Sequence, residues 1–521
     1  MKKYLLPVSL ALGCTFNFLF WNKDPGISFP LFVNLCLVSG YALLAPFEKK
    51  PAKTNYLLLI PALFFSIMFV VRREPLTSFL NFAVTLFSMA LLAATYLNTQ
   101  WTRFTLVEYV GAFFNFVGGV ISLPWMHRKT HMDENRPESG GRKIIPILRG
   151  IGIALPVWLV FTALLYSADL VFAHRMDAFL LSLKLGDPAE FTMRLILTLF
   201  VAYVFYGAVL YAADRSGNPI NLQKKRAFTP FLEITEAGIV LAGVILVFSL
   251  FVIIQFQYFF SGQANINIEG FTYSEYARRG FGELVVVAVL SIVLIKSLNS
   301  FTKKESPHSQ RILKVLNVAL VALVLVILAS AFQRLGLYES AYGFTRLRTY
   351  SHVFMVWLGI YMVAIVVMEI FQHAELFATT TLVMILGFSL TINFLNIDGF
   401  IVTKNIYRSM EGEPFDSSYL AGLSSDAVPV MAEHFNDPAL PAKLREDVGA
   451  SLACFKELSF NESLEKQPWP SFHFSDRAAI AELTKLSEEL SAYKISDEAW
   501  PIVVKSPSGF EYPCPGYAGI D

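Results

Sequence analysis

The sequence predicts an all-α protein: a polytopic transmembrane helix bundle of about 11 or 12 helices with a small, mostly helical C-terminal soluble domain. Three observations support this fold class. Of the 521 residues, 55% are hydrophobic and 16% are charged, whereas soluble domains carry about 25% charged residues. The apolar residues form blocks of roughly 18 to 25, the length that crosses a hydrocarbon core of about 30 Å. These blocks stop near Leu395, after which polar residues become common.

Twelve apolar blocks, separated by charged or polar residues, are predicted to be helices. The first block follows Lys2 and Lys3 and continues past Cys14. Its length therefore indicates a retained helix and not a cleaved signal peptide. In chain order the blocks cover residues 4–21, 30–46, 55–72, 76–97, 104–125, 144–170, 190–213, 231–260, 281–298, 313–333, 352–372 and 375–395.

Positive charges orient these helices, because loops rich in Lys and Arg remain in the cytoplasm. Such charges occur at the N-terminus and near residues 49–53, 224–226 and 296–314. The loop 127–143 is also basic, yet strict alternation through twelve blocks would place it outside. We therefore expect one earlier block not to cross. The best candidate is segment 104–125, which holds a carboxylate and a glycine pair and could be re-entrant or interfacial.

The chain divides into a membrane part, 1–395, and a C-terminal part, 396–521, which differ in charge. After Ile397 there are 20 acidic and 10 basic residues, which leaves 21 acidic and 32 basic residues before it. A basic membrane part suits the anionic inner leaflet, so these charges indicate no nucleic-acid partner. With eleven crossings, the N-terminus is cytoplasmic and the C-terminal domain is extracytoplasmic.

The C-terminal part is predicted to be mostly helical. Residues 440–458 have the pattern of an amphipathic helix, and residues 501–515 have an extended, Pro-rich pattern. Ser475 is a candidate N-cap for a second helix. One apolar face of that helix is formed by Ala479, Leu483, Leu486 and Leu490.

The four cysteines are too few for a disulfide scaffold, and no CxxC or Cys/His set is present. Cys14 and Cys36 lie in apolar segments and are expected to be inert. Cys454 and Cys514 both lie in the C-terminal part, where a disulfide can form if that part faces an oxidising compartment. Their spacing leaves open whether they pair.

The strongest polar constellation is TYSEYARRGFGE at residues 272–283. If this segment is helical, Glu275, Arg279 and Glu283 share one face at the outer membrane surface. A row of carboxylate, guanidinium and carboxylate could bind a polar headgroup or an ionic substrate. An interfacial helix, anchored by the two tyrosines and stabilised by its own ion pairs, is an equally consistent interpretation.

A second polar loop precedes the block at 352–372. Its two arginines, Arg346 and Arg348, lie on the predicted outer side, where the positive-inside rule disfavours them. Pairing with Glu275 or Glu283, or binding of a phosphate or carboxylate, would explain their presence. The candidate ligand-binding residues of the two segments are Tyr273, Glu275, Tyr276, Arg278, Arg279, Glu283, Glu339, Arg346, Arg348 and His352.

The sequence contains no familiar catalytic or cofactor motif. A Walker loop, a GxSxG elbow and a dinucleotide fingerprint are all missing, which disfavours ATP or NAD chemistry. His127 and His131 have the spacing of a metal pair on a helix, but Arg128 and Lys129 lie between them and no HExxH pattern is present. We expect neither a cofactor nor a metal, and we favour a protein that is not an enzyme.

Several segments carry a resemblance to a known family: WNKDPGISFPLF (21–32), GFTYSEYARRGFGELV (270–285), LYESAYGFTRLRTYSHVFMVWLG (337–359) and NIDGFIVTKNIYR (396–408) with DSSYLAGLSSDAVPVM (416–431). They resemble bacterial multi-pass membrane proteins catalogued as a domain of unknown function, of the 4153/4173 type. The resemblance implies a bacterial cytoplasmic-membrane protein with a short tail, and it implies no activity. Matching motif residues are Tyr273, Glu275, Tyr276, Arg278, Arg279, Glu283, Tyr338, Glu339, Tyr342, Arg346, His352, Asp398, Asn405 and Arg408.

Three functional hypotheses follow. The first is a transporter, flippase or other ligand-handling membrane protein that recognises a polar or anionic small molecule or lipid headgroup at its outer face. The second is a sensor or assembly factor whose C-terminal domain binds an extracytoplasmic protein. The third is an intramembrane enzyme that acts on a lipid, with Glu283 or His352 as general base, although no catalytic spacing supports it. In all three, the lipid bilayer is a partner.

Overall fold

The computed structural model describes residues 2–45, 51–134, 187–217, 230–260, 281–303, 306–373, 376–459, 467–496 and 502–515, with a few isolated positions between 161 and 176. In the membrane part the helices are α1 Lys2–Phe20, α2 Ser28–Leu44, α3 Leu59–Val71, α4 Pro75–Ala94, α5 Leu106–Glu134, α6 Asp187–Asp214, α7 Ile234–Phe260, α8 Phe281–Phe301, α9 Pro307–Tyr342, α10 Arg346–Phe371 and α11 Phe377–Leu395.

The C-terminal part adds six further helices and a small antiparallel sheet of three strands within the described ranges. The helices are α12 Ile397–Met410, α13 Ser417–Ala421, α14 Val428–Asn436, α15 Ala442–Ser459, α16 Phe474–Lys485 and α17 Ser487–Leu490. The strands are β1 Lys494–Ser496, β2 Val503–Lys505 and β3 Glu511–Pro513, in the order β1-β2-β3.

The predicted all-α class is confirmed. Each predicted apolar block except 144–170, which falls almost wholly outside the described residues, corresponds to one of the helices α1 to α11. Within the described ranges, the nine helices from α3 to α11 are long and apolar enough to cross a membrane, counting the 3-10 turn Lys53–Leu58 with α3. The apolar helices α1 and α2 are shorter.

Helix α9 is much longer than the predicted block 313–333, because its polar ends carry no hydropathy signal. Ser306 begins it as an N-cap, accepting a hydrogen bond from the Ser309 N–H at 3.1 Å. Gly343 ends it with a φ of +82°. A Cβ at Gly343 would lie 2.9 Å from Asn405 Oδ1, so this position requires glycine for both conformation and space.

Segment 104–125 forms most of α5, a helix without a break from Leu106 to Glu134. Glu108 closes a capping box at its start: it accepts from the Thr105 N–H at 2.7 Å, and its own N–H donates to Thr105 Oγ1 at 3.3 Å. Glu108 therefore has a structural role. Whether α5 crosses the membrane stays a prediction.

Contacts divide the chain into two units: residues 1–23, 35–50 and 114–216, and residues 24–34, 51–113 and 217–521. In the first unit, α1 packs along α6. Gly13 permits this approach, because a Cβ there would overlap the Thr198 carbonyl oxygen. Arg194 Nε donates to Asn17 Oδ1 at 3.1 Å, which gives the intramembrane guanidinium a polar partner.

The second unit has two hydrophobic clusters. One lies among α7, α8, α9 and α10. The other begins with Val353 of α10 and Ile392 of α11, continues through α12 to α15, and reaches Val504 of β2. The predicted boundary at residue 396 therefore lies within a continuous core, and the tail shares that core with the end of the bundle.

The tail follows its predicted pattern closely. Helix α15 matches the predicted block 440–458, and strands β2 and β3 lie within 501–515. The predicted apolar face of Ala479, Leu483, Leu486 and Leu490 is buried. The N-cap of α16 is His473 and not Ser475, which lies inside the helix.

A disulfide joins Cys454 of α15 to Cys514, which follows β3. The Cα atoms of the two residues are 5.4 Å apart, and the bond closes a loop with a sequence separation of 60. Both cysteines are buried in the core of the tail. The disulfide thus ties the last strand to the longest helix of the tail.

Candidate functional site

The candidate residues that the structure describes lie at the end of the second unit that contacts the tail, which we call the domain face. The loop before α4 reaches the tail there, since the backbone N–H groups of Arg73 and Glu74 donate to Asp426 at 2.7 and 2.9 Å. The loop before α2 does the same, because the Ile27 N–H donates to the Phe472 carbonyl at 3.0 Å.

Arg346, a predicted ligand-binding residue, is engaged by the tail at the first residue of α10. Its Nε and NH2 groups donate to the two carboxylate oxygens of Asp398 at 2.8 and 2.6 Å. Asp398 is fully buried and also accepts from the Ser424 N–H and Oγ at 2.8 and 2.6 Å. Such a bidentate pair fixes both position and orientation. Arg346 therefore joins the bundle to the tail.

Glu74 caps α4 and is completely satisfied. Its carboxylate accepts from the Leu76 N–H at 3.0 Å and the Thr77 N–H at 2.7 Å, as an N-cap acceptor does. The hydroxyl of Tyr350, on α10, donates to the same carboxylate. Because Glu74 is only 2% exposed, these bonds replace the water that burial removes.

Asp426 and His473 complete the contacts between the loops and the tail. Burial raises the pKa of Asp426, although its hydrogen bond from the Arg73 N–H opposes the shift. His473 Nε2 lies 2.9 Å from the Pro25 carbonyl and is placed to donate to it. Burial, followed by the nearby Arg73 guanidinium, lowers the pKa of His473. We call the connected residues Glu74, Arg346, Asp398, Ser424 and Asp426 the docking network.

Arg348 closes the C-terminal end of α9. Its NH1 group donates to the carbonyls of Tyr342, at 3.1 Å, and Gly343. Its guanidinium also lies over the Tyr338 ring, 4.0 Å from the centroid. A cation at the last carbonyls of a helix is stabilised by the helix dipole. The structure thus gives Arg348 a capping role on the predicted outer side.

Glu339 of α9 and His352 of α10 form a pair, which we call the acid–histidine pair. Glu339 Oε2 lies 3.0 Å from His352 Nδ1. Glu339 is 2% exposed, yet its other oxygen, Oε1, has no hydrogen-bond partner among the described residues. His352 packs edge-on against the Phe332 ring at 4.4 Å. A buried carboxylate oxygen without a donor is a costly feature to retain.

The first predicted cluster is described at one residue only. Glu283 lies in the first turn of α8 and is exposed. The other members, Tyr273, Glu275, Tyr276, Arg278 and Arg279, lie outside the described residues. Convergence of the two predicted clusters on one site therefore stays a prediction.

Metal binding has no geometric support in the part of the chain that the structure describes. No three or more side chains of His, Cys, Asp and Glu come together there in a way that could hold a metal ion.

Sequence reasoning missed several residues of this region, among them Glu74, Asp426 and His473. The position of Glu74 had a local signal, since Pro75 is typical of a first helical residue and so marks residue 74 as the N-cap. Asp426 and His473 had none, because each interacts with loops that are more than 350 residues away in the chain.

These apolar helices define the class of the protein: it is a multi-pass integral membrane protein with a mostly helical C-terminal tail. The chain belongs to the family described as "Domain of unknown function (DUF4153)", whose model matches residues 59–434. The match covers α3 to α14 almost completely and includes the acid–histidine pair and the docking network. No curated protein and no solved structure matches the chain.

Proposed function

We propose that this protein is a ligand-handling membrane protein, of the transporter or flippase kind, whose site lies at the domain face with the acid–histidine pair at its centre. The single observation that carries the proposal is the buried Glu339 oxygen that lacks a donor among the described residues. Burying such an acceptor costs about 1–3 kcal/mol. A ligand with an N–H or O–H group would remove that cost.

A half-buried carboxylate on α10 provides a comparison. Glu369, at the other end of the helix, has both carboxylate oxygens near amide donors: Asn299 Nδ2 at 3.2 Å and Asn317 Nδ2 at 3.4 Å. The unfilled acceptor is therefore found at Glu339 of α9 and not at Glu369 of α10. Glu369 is a matched control for experiments on Glu339.

The proposal is tested by purifying wild type, Glu339→Gln, His352→Asn and Glu369→Gln in mild detergent and identifying the small molecules that each releases. We expect wild type and Glu369→Gln to release the same compound. Loss of a hydrogen bond to a charged group should reduce its occupancy about tenfold in the other two variants.

Equal recovery of that compound from Glu339→Gln and wild type would contradict the proposal. Melting curves of the four proteins separate binding from folding. If Glu339→Gln loses folded protein and bound compound together, the pair is structural and the proposal fails.

We further propose that the domain face is extracytoplasmic. The Cys454–Cys514 disulfide supports this orientation, because disulfides persist in oxidising compartments and are rare in the cytosol. The opposite ends of α8 and α9 support it too, since Lys296, Lys303 and Arg311 cluster there, and such basic ends stay in the cytoplasm.

The positions of two loops at that opposite face support the expected eleven crossings, because they limit the number of crossings between the loops. Thr379 Oγ1 donates to the Thr102 carbonyl at 2.7 Å, so the start of α11 and the loop before α5 lie together. Lys296 of α8 lies over the Phe377 ring of α11, and the Phe231 N–H donates to Phe301 at the end of α8. Residues 102 and 231 therefore lie at the same face of the second unit.

An even number of crossings must lie between those positions. Three apolar segments occur there: α5, the block 144–170 and α6. Helix α6 has a 25-residue apolar stretch with a mean hydropathy of 2.1 and is expected to cross. Only one of the other two segments then crosses, and the basic loop 127–143 is cytoplasmic only if α5 is the one that does not.

Cysteine labelling of intact cells tests this topology. In a chain with Cys14 and Cys36 replaced, we expect an impermeant maleimide to label Ser487→Cys, which is exposed on the tail, and not Thr99→Cys, which is exposed at the opposite face. Labelling of Thr99→Cys alone would invert the orientation. Labelling of Thr130→Cys from outside would show that α5 crosses and that block 144–170 does not.

A further inference from the structure

An open apolar groove runs between α9 and α10, with a volume of about 540 Å³. Two small residues leave this space: Ala329 is exposed on α9, and Gly359 on α10 has Leu328 Cδ2 as the nearest atom to a Cβ position, at 3.6 Å. The remaining walls are apolar side chains: Leu325, Leu328, Phe332, Met355, Val356, Ile360 and Val363. The volume falls within the range of about 300–1,000 Å³ that small-molecule sites have.

The groove ends at the acid–histidine pair. Phe332 lines the groove and packs against the His352 ring, while Glu339 lies seven residues after Phe332 and therefore on the same face of α9. His352 similarly precedes Met355 and Val356 by about one helical turn. The apolar groove thus reaches the histidine of the pair through Phe332, and the Glu339 oxygen that has no donor among the described residues lies about two helical turns further along α9.

The depth of the groove matches a lipid chain. From Leu325 to Phe332 the helix rises about 10 Å, which is two-thirds of the ~15 Å half-thickness of a hydrocarbon core. Both walls belong to helices that are apolar enough to span a membrane, with mean hydropathies of 2.8 and 2.4. At this depth the surrounding medium is hydrocarbon, so an acyl chain is the occupant that this groove fits.

We propose that this groove holds one acyl chain of a membrane lipid whose headgroup carries an N–H or O–H donor for Glu339. The inference rests on the proposed function and names the ligand class for the same site. A primary ammonium, as in phosphatidylethanolamine, satisfies Glu339 Oε1 by a charge-assisted hydrogen bond. A quaternary ammonium, as in phosphatidylcholine, has no N–H to donate.

Photolabelling tests this assignment. The full-length protein is reconstituted in vesicles of phosphatidylglycerol and phosphatidylethanolamine, with a small fraction of phosphatidylethanolamine that carries a diazirine in its acyl chain. After illumination and digestion, we expect label on peptides from residues 325–363. A phosphatidylcholine probe with the same chain should label this region about tenfold less, as expected for loss of one charged hydrogen bond.

Two substitutions separate the groove from its polar end. Ala329→Phe fills the groove and should abolish most labelling, whereas Val326→Phe, at a 39% exposed position outside the groove lining, should leave labelling unchanged. Glu339→Gln should remove the preference for phosphatidylethanolamine. Melting curves of all variants in detergent, taken before reconstitution, check that each protein is folded.

The outcomes distinguish this inference from the proposed function. Full labelling of Ala329→Phe, or equal labelling by the two probes, would overturn the lipid assignment. If Glu339→Gln still loses its co-purified compound in that case, the polar site stands and only its ligand class is wrong. If neither substitution has any effect, both proposals fail.

Discussion

Two polar regions lie within two helical turns of each other on α10, and they differ in how completely they are satisfied. Arg346 makes two short hydrogen bonds to Asp398, and Asp398 receives two more from Ser424. Glu339 is similarly buried, but within the described part of the chain only one of its oxygens has a partner, His352. Both oxygens of Asp398 thus accept hydrogen bonds, whereas Glu339 Oε1 can still accept one.

This difference bears on which of the predicted residues can bind a ligand. A charged side chain at a membrane surface suggests a site, but a side chain that is saturated by its own protein has no capacity left to bind anything else. Arg346 and Arg348 each donate two hydrogen bonds within the protein, whereas the acid–histidine pair has an acceptor without a donor among the described residues. Ligand binding by any of these residues stays a prediction, and the acid–histidine pair is the one we place at the centre of the proposed site. Substitutions in the two regions should therefore differ in how strongly they destabilise the protein.

Breaking the docking network should have the largest effect. Asp398→Asn leaves the Arg346 guanidinium without its counter-charge, and loss of one partner of a buried pair costs about 3–5 kcal/mol. We expect a large fall in the melting temperature of the detergent-solubilised protein. The control is Glu413→Gln, since Glu413 is half exposed and only 3.5 Å from Arg408; such pairs contribute about 0–1 kcal/mol. Equal melting temperatures for the two variants would contradict the structural role of Asp398.

Removing the disulfide should have the next largest effect. Cys454→Ser opens a loop with a separation of 60 residues, and such bonds contribute about 2–4 kcal/mol. Thermal unfolding with and without reductant measures this. Reductant should destabilise wild type and Cys14→Ser but leave Cys454→Ser unchanged. A melting curve of wild type that does not respond to reductant would show that the bond is not formed.

Acidification should produce a smaller effect through His473. Its pKa lies below the usual 6.5, so the folded protein disfavours the proton. The stability from neutral His473 is complete above pH 6.5 and is lost as the pH falls through the folded-state pKa. Arg73 faces the ring and opposes its charge, while Asp476 acts in the other direction.

The measurement is the melting temperature of wild type and His473→Gln from pH 8 to pH 5. The amide of Gln can still donate to the Pro25 carbonyl but does not titrate. Asp426 has a raised pKa and gains stability from protonation at more acidic pH, and both proteins share this response. A pH dependence that is the same in both proteins would exclude His473 as its source.

Glu339→Gln should have the smallest effect on stability. The carboxylate already lacks one donor, so a neutral amide of the same shape removes little and should change the free energy of unfolding by less than about 1 kcal/mol. The melting temperature of this variant is compared with that of Asp398→Asn, because both replace buried carboxylates. A loss as large as that of Asp398→Asn would place Glu339 among the structural residues.

The fold class was predictable because hydrocarbon imposes its own length scale. Blocks of apolar residues located the helices α1 to α11, apart from their ends. The ends of α9 were missed, since Ser306 and Gly343 act through capping and backbone conformation and not through hydropathy. The tail was predicted from amphipathic periodicity, and its buried face appeared at Ala479 and Leu483 as expected.

The site was only partly predictable. The sequence identified Glu339, Arg346, Arg348 and His352 as polar residues at a membrane surface. It could not distinguish a saturated side chain from an unsaturated one, because Asp398, which engages Arg346, is 52 residues away. The hydrogen-bond partners of a side chain depend on which residues the fold brings together, and sequence periodicity does not show this.

The continuous core across Asn396 has a consequence for biosynthesis. Ribosomes complete α1 to α11 before the tail emerges, so for part of translation the newly inserted bundle presents Ile392 and Val353 without their final neighbours. During that interval the Glu74 N–H also lacks its hydrogen bond to the Asp426 side chain, which anchors the loop before α4. The nascent protein is then most accessible to chaperones and proteases. A chain whose tail folds slowly, or does not fold onto the bundle, is therefore open to quality control at this stage.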